Sequence, residues 1–171
     1  MMPKIKKILY ATDLSPNSTY ALRYAMDGAI SHDASIVILH VLEQLSPATL
    51  SMLVYLDKER RQQLYQGHTL LAIDQIKERL KHLCEKEFRD YPQYEEKIRS
   101  IEVCEGFPAE KILSTAKDLD CDTIIMGTHS QGVIANTFLG STAKRVLRRT
   151  RIPDLIIPLP NPDKPELTNE N

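Results

Sequence analysis

Tryptophan is absent from this 171-residue chain, and phenylalanine occurs only three times. An aromatic share of 6% is too small for a surface on which nucleic-acid bases stack. Cysteine is scarce: Cys84, Cys104 and Cys121 make an odd count with no C-x-x-C pair. That argues against a disulfide framework and a zinc site, and it suits a reducing cytoplasm. Cys104 and Cys121 sit in or beside apolar runs, so buried thiols are expected. Neither sign of charge is in excess, with a net charge of -1 and a pI near 6.5, so no electrostatic pull toward nucleic acid or an anionic membrane is expected. No apolar run approaches the ~20 residues of a bilayer-spanning helix. The basic start, Met1 to Lys7, leads into an apolar run broken at once by Thr12-Asp13, so no secretory leader is expected.

What remains is ordinary for a globular domain: 42% hydrophobic and 26% charged residues. One domain through about residue 160 is expected. Beyond it, residues 161–171 form a polar, Pro-rich tail expected to be disordered. Lys7 to Ala11 reads as a first strand, and Thr12-Asp13-Leu14-Ser15-Pro16 ends it. Ser15 can cap a helix with Pro16 at its first position, and helical spacing then continues to His32-Asp33. Ser35 to Leu42 is nearly all β-branched or apolar, as in a strand buried on both faces of a parallel sheet. Gln44 to Gly67 has no clean assignment, although Met52 to Leu56 is conspicuously apolar. From about Asp57 to Phe88 the pattern is helical, with Ile73, Ile76, Leu80 and Leu83 in one stripe. Ile98 to Cys104 reads as a strand, Pro108 to Lys117 as a helix, Cys121 to Met126 as a strand, about Thr137 to Thr150 as a helix, and Asp154 to Ile157 as a last short strand. The alternation implies an α/β fold: a parallel sheet with helices on both faces.

Glycine is rare as well, with six in all, yet three of them fall within Met126 to Thr142: Gly127, Gly132 and Gly140. A strand, a glycine-bearing loop and a helix opened by Ser141-Thr142 form an arrangement that holds a phosphate. Glycines let the backbone approach a ligand, and free N–H groups with the positive helix end favour an anion. Ligands of such sheets sit at the carboxyl ends of the strands. Asp13, His40-Val41 and Met126-Gly127 all fall there. Asp13 suits accepting a hydrogen bond from a bound ligand, against its ordinary role as a turn carboxylate. The side chains of Val41 and Met126 read first as core.

Four segments resemble the universal stress protein family, over about Lys4 to Leu159. Ile8 to Ser15 is similar to its first strand and acidic turn, and Leu39-His40-Val41 to the end of its second strand. Glu105-Gly106-Phe107-Pro108-Ala109 is similar to its E-G-x-P-A turn. Gly127 to Ser141 resembles its nucleotide loop, G-x2-G-x9-G-[ST], with Ser130 in place of the second glycine and Gly132 two residues later. The resemblance implies a three-layer α/β sandwich on a five-stranded parallel sheet, Rossmann-like, of the adenine nucleotide α-hydrolase-like kind. It implies a stress-response regulator that binds ATP or AMP as a homodimer joined through Asp154 to Ile157; magnesium on the phosphates is expected as for most ATP sites. The implied nucleotide contacts are Ala11, Thr12, Asp13, His40, Val41, Met126, Gly127, His129, Ser130, Gly132, Gly140, Ser141 and Thr142.

Other readings compete. Ser130 favours a nucleotide-free interaction module of the same fold. No P-loop and no G-x-S-x-G elbow is present, and no residue stands out as a base for water, so at most slow ATP hydrolysis is expected. His40 and His129 lack a second ligand at metal spacing. Lys144, Arg145, Arg148, Arg149 and Arg151 form a basic run that reads first as a solvated helix face. Asp154 is a charge where an apolar residue is usual for the family, and a charge on an edge strand can block pairing.

Overall fold

The central strands owe their place to what flanks them. In the computed structural model, which describes residues 2–43, 58–128 and 139–158, five parallel strands form one sheet. They are β1 (Lys7–Thr12), β2 (Ser35–Leu42), β3 (Ile98–Glu105), β4 (Thr123–Gly127) and β5 (Asp154–Ile157), in the spatial order β3-β2-β1-β4-β5. The three inner strands, β1, β2 and β4, are almost continuously buried, whereas the outer two are only partly so.

Alternate residues of each strand feed two cores. Ile8, Tyr10, Ile36, Ile38 and Ile125 pack against α1 (Pro16–His32) and α2 (Lys58–Glu87) through Leu22, Met26 and Leu80, and against Phe88 just beyond α2. Leu9, Leu39, Val41, Ile124 and Met126 pack against α3 (Pro108–Asp118) and α4 (Ser141–Arg149) through Ile112, Ala116 and Val146. The result is the expected three layers.

The ends of the elements follow their residues. Ser15 caps α1, its hydroxyl accepting from the Ser18 N–H at 3.2 Å. Asp33 closes that helix in a left-handed conformation, φ 51°. At the amino end of the sheet, the Asp122 carboxylate accepts from the Lys6 and Lys7 N–H groups at 2.7 and 2.9 Å.

Some boundaries differ from the sequence reading. Against an expected start near Thr137, α4 begins at Ser141 with Gly140 as its cap residue, and Thr137 and Phe138 lie outside the described residues. The stripe of α2 continues inward through Leu80 to Cys84 and Phe88, while Leu83 turns toward a groove beside α1. A short 3-10 helix, Pro92–Lys97, precedes β3; its charges show no apolar period to announce it. The apolar run Met52 to Leu56 and the tail 161–171 lie outside the described residues.

Candidate functional site

The strand order creates the site. β1 and β4 are neighbours in the sheet, but the helix after β1 packs on one face and the helix after β4 on the other. The chain therefore parts at their carboxyl ends, the switch point where α/β sheets take ligands. A cleft of about 370 Å³ opens there, within the range of small-molecule sites.

One wall is the β1–α1 turn. Thr12 Oγ1 donates to Ser18 Oγ at 2.9 Å and accepts from the Leu14 N–H at 3.1 Å. Ser18 Oγ in turn donates to the Ser15 carbonyl at 2.6 Å. The Asp13 carboxylate accepts from the Ser15 N–H at 2.9 Å and stays exposed at the cleft. These bonds hold Leu14 at φ 63°, a conformation that costs a branched side chain energy and persists only where neighbours over-determine it. Beneath the turn, the Tyr10 hydroxyl donates to the Ser18 carbonyl at 2.5 Å, and burial raises its pKa.

The second wall is the end of β2. His40 Nδ1 lies 2.8 Å from the Thr12 carbonyl. A carbonyl only accepts, so Nδ1 carries the proton, and in the neutral ring Nε2 is an acceptor. Val41 and Glu43 continue this wall. Val41 and Met126 are both buried and also line the cleft, so their side chains serve core and site together.

The floor is the β4–α4 connection. The Gly140 N–H donates to the Thr128 carbonyl at 2.8 Å, and the Thr128 N–H to Ile157 at 2.9 Å. The first bond draws the two ends of the glycine loop together. The loop's interior, with the predicted site residues His129, Ser130 and Gly132, lies outside the described residues. In the first turn of α4, Ser141, Thr142 and Ala143 line the cleft. No side chain caps this helix among the described residues, and no acid sits in its first turn. Its leading N–H groups and positive dipole end thus suit an anion.

Two glycines gain meaning here. Among the described residues Gly106 alone of the glycines has a positive φ. Gly140 sits at φ -65° and ψ 161°, open to any residue, so backbone strain does not demand glycine there. A Cβ added at Gly127 would meet nothing within 4 Å. The missing side chains leave room in the cleft.

The structure thus brings together Ala11, Thr12, Asp13, His40, Val41, Met126, Gly127, Gly140, Ser141 and Thr142 at one cleft. Sequence reasoning missed Ser18, Glu43 and Thr128, which line it too. Ser18 was visible as the hydroxyl three residues beyond the Ser15 cap, and Thr128 as the polar residue right after Gly127. Among the described residues no three His, Cys, Asp or Glu side chains gather as a metal site would require, and no helix is long and apolar enough to cross a membrane.

The comparison with known proteins joins this geometry to the sequence likeness. The model of the universal stress protein family matches residues 4–158. The chain belongs to the universal stress protein family. Universal stress protein MJ0531 of Methanocaldococcus jannaschii is 29% identical over 155 residues, 91% of this chain and 83% of that protein. Universal stress protein MJ0577 of the same organism is 25% identical over 154 residues, 89% of this chain and 94% of that protein. The solved structure of MJ0577 superposes with a TM-score of 0.70 at 24% identity, covering 93% of this chain and 99% of that one. A universal stress protein solved in complex with cAMP superposes at 0.52 with 18% identity, covering 91% and 98%. These likenesses match the universal stress protein fold to the five-stranded sheet seen here.

Proposed function

We propose that this chain is an adenine-nucleotide-binding regulatory module of the stress response that works as a homodimer. One observation carries the reading: the first turn of α4, which no described side chain caps, opens into the same cleft as the exposed carboxylate of Asp13. That pairs donors for phosphate with an acceptor for ribose hydroxyls. In this reading the N–H groups and hydroxyls of Ser141 and Thr142 take phosphate oxygens. Gly127 and Gly140 leave room for them, and His129, Ser130 and Gly132 belong to the same loop. Ala11, Thr12, Asp13, His40, Val41 and Met126 take the nucleoside. ATP or AMP is the ligand, and magnesium accompanies a triphosphate as a partner of its oxygens. A relative of the same fold is solved with cAMP, which supports an adenine nucleotide as the class.

The dimer reading rests on β5, the outer strand next to β4, since an open edge invites pairing. One domain to residue 160 with 161–171 as an appended tail is part of the same reading, as is a reducing cytoplasm, which the free thiols of Cys84, Cys104 and Cys121 suit. Calorimetric titration of the stripped protein with ATP, AMP and GTP tests the site. Saturable binding of ATP and AMP with GTP weaker is the expected result. No heat at millimolar nucleotide would shift the reading to a nucleotide-free interaction module.

A further inference from the structure

The outer edge of β5 carries an acid that its surroundings leave half satisfied. The carbonyls of Pro153 and Ile157 accept from Ile124 and Thr128 on the β4 side, at 3.0 and 2.9 Å. In a parallel ladder alternate residues serve the same neighbour, so Asp154 and Ile156 turn their peptide groups outward. Leu155 between them is 47% exposed. Asp154 Oδ1 accepts from the Thr150 hydroxyl at 3.2 Å. Its Oδ2 is buried with no hydrogen-bond partner, the one such side-chain atom among the described residues.

An antiparallel pair of β5 strands centred on Leu155 satisfies every outward peptide group of Asp154 and Ile156 on both copies. The same register sets Asp154 opposite Ile156 of the partner subunit, with Cβ atoms roughly 5 Å apart. An ionised carboxylate there loses water and gains no donor, which is costly, while the neutral acid avoids most of that cost. We propose that β5 pairs with a second copy of itself under the control of a proton on Asp154: the neutral acid permits pairing and the carboxylate opposes it. This rests on the dimer reading above and adds its regulation.

Among the described residues no counter-charge is at hand to blunt the effect. β4 carries no titratable side chain. At the end of α4, Arg149 is 3.4 Å from Glu110, and Arg148 and Arg151 are exposed. Burial already raises the Asp154 carboxyl, opposed only by the Thr150 bond. Pairing buries it further, so the dimer holds more protons than two separate chains. By linkage, association then tightens as pH falls.

Sedimentation velocity on the full chain, over a concentration series at pH ~7.5 and pH ~5, tests this. With one proton per copy the limiting slope is ~100-fold per pH unit, and an increase of ~10-fold or more across the interval is expected for the wild type. Asp154→Asn keeps the shape and the Thr150 bond but has no charge. It should associate at the higher pH as the wild type does at the lower, with no pH response. Leu155→Arg, an exposed change, should leave monomer at both. A wild-type response retained in Asp154→Asn, or no response in the wild type, would overturn the proton control while Leu155→Arg still reports the β5 dimer. Monomer under all conditions, or dimers indifferent to Leu155→Arg, would overturn the dimer reading and the proton control together.

Discussion

The imidazole of His40 is tied to the main-chain carbonyl of Thr12 at 2.8 Å, across 28 residues of sequence. The two residues are register partners on β1 and β2, so the bond braces the carboxyl ends of both strands. It also holds the carbonyl just before Asp13. Two walls of the cleft are thereby kept in one geometry, which is what a preformed binding site needs. His40→Phe retains a ring of similar size and removes the bond. The expected cost is about 1 kcal/mol of stability, with ATP bound several-fold more weakly. Urea unfolding and calorimetric titration on the same samples measure both.

Gly140→Val separates binding from folding. Its φ of -65° and ψ of 161° lie in the extended region that Val prefers. The melting temperature should stay within a few degrees of wild type, while the isopropyl group at the mouth of α4 should abolish ATP binding. Thermal unfolding with and without ATP shows this as a lost ligand-induced shift.

Gly106→Ala should behave in the opposite way. Gly106 has φ +149°, and an added Cβ would lie 2.6 Å from Lys111 Cε. The Lys111 stem can move, but the backbone conformation remains almost closed to alanine, at a cost of about 1–3 kcal/mol. Denaturant unfolding should show that loss, while the nucleotide affinity of the folded fraction changes little, because Gly106 lies outside the cleft lining.

Cys84 should be inert. Burial, with Glu85 and Glu87 nearby, pushes its thiol up to about 11. At pH ~8 the thiolate fraction then falls roughly 100-fold below that of an ordinary thiol, and alkylation of Cys84 by iodoacetamide, read by peptide mass spectrometry, should slow at least that much. The sign for stability follows: the folded chain holds this proton longer than the unfolded one. The contribution is therefore whole below the unfolded thiol pKa of about 8.5 and is lost as pH climbs toward the folded value. Unfolding free energy measured at rising pH above ~9 should fall, and less so in Cys84→Ala.

Much of the frame was legible because single segments announce it. Ser35 to Leu42 is apolar on both faces, since β2 lies inside the sheet, and Ser15-Pro16 marks the start of α1 by its chemistry. The candidate cleft was legible in Asp13, Gly127 and Gly140, because strand ends and glycines are local signals. What joins distant parts was not. The His40–Thr12 bond and the orphaned oxygen of Asp154 depend on which strands become neighbours, and no short window of residues records that. The start of α4 was set too early for a related reason: Leu139 and Gly140 precede the helix because the chain at Gly140 is held to Thr128, a contact that no local pattern announces; Thr137 and Phe138 lie outside the described residues.

The most direct measurement is the nucleotide carried by the purified protein. A chain with no tryptophan and seven tyrosines absorbs weakly at 280 nm, so bound adenine stands out at 260 nm. Heat-denatured protein is cleared by filtration, and the filtrate is identified by mass spectrometry. The expected result is ATP or AMP in the wild type and none in Gly140→Val prepared alongside. A filtrate free of nucleotide, together with no binding of ATP by the stripped protein at millimolar concentration, would contradict the account.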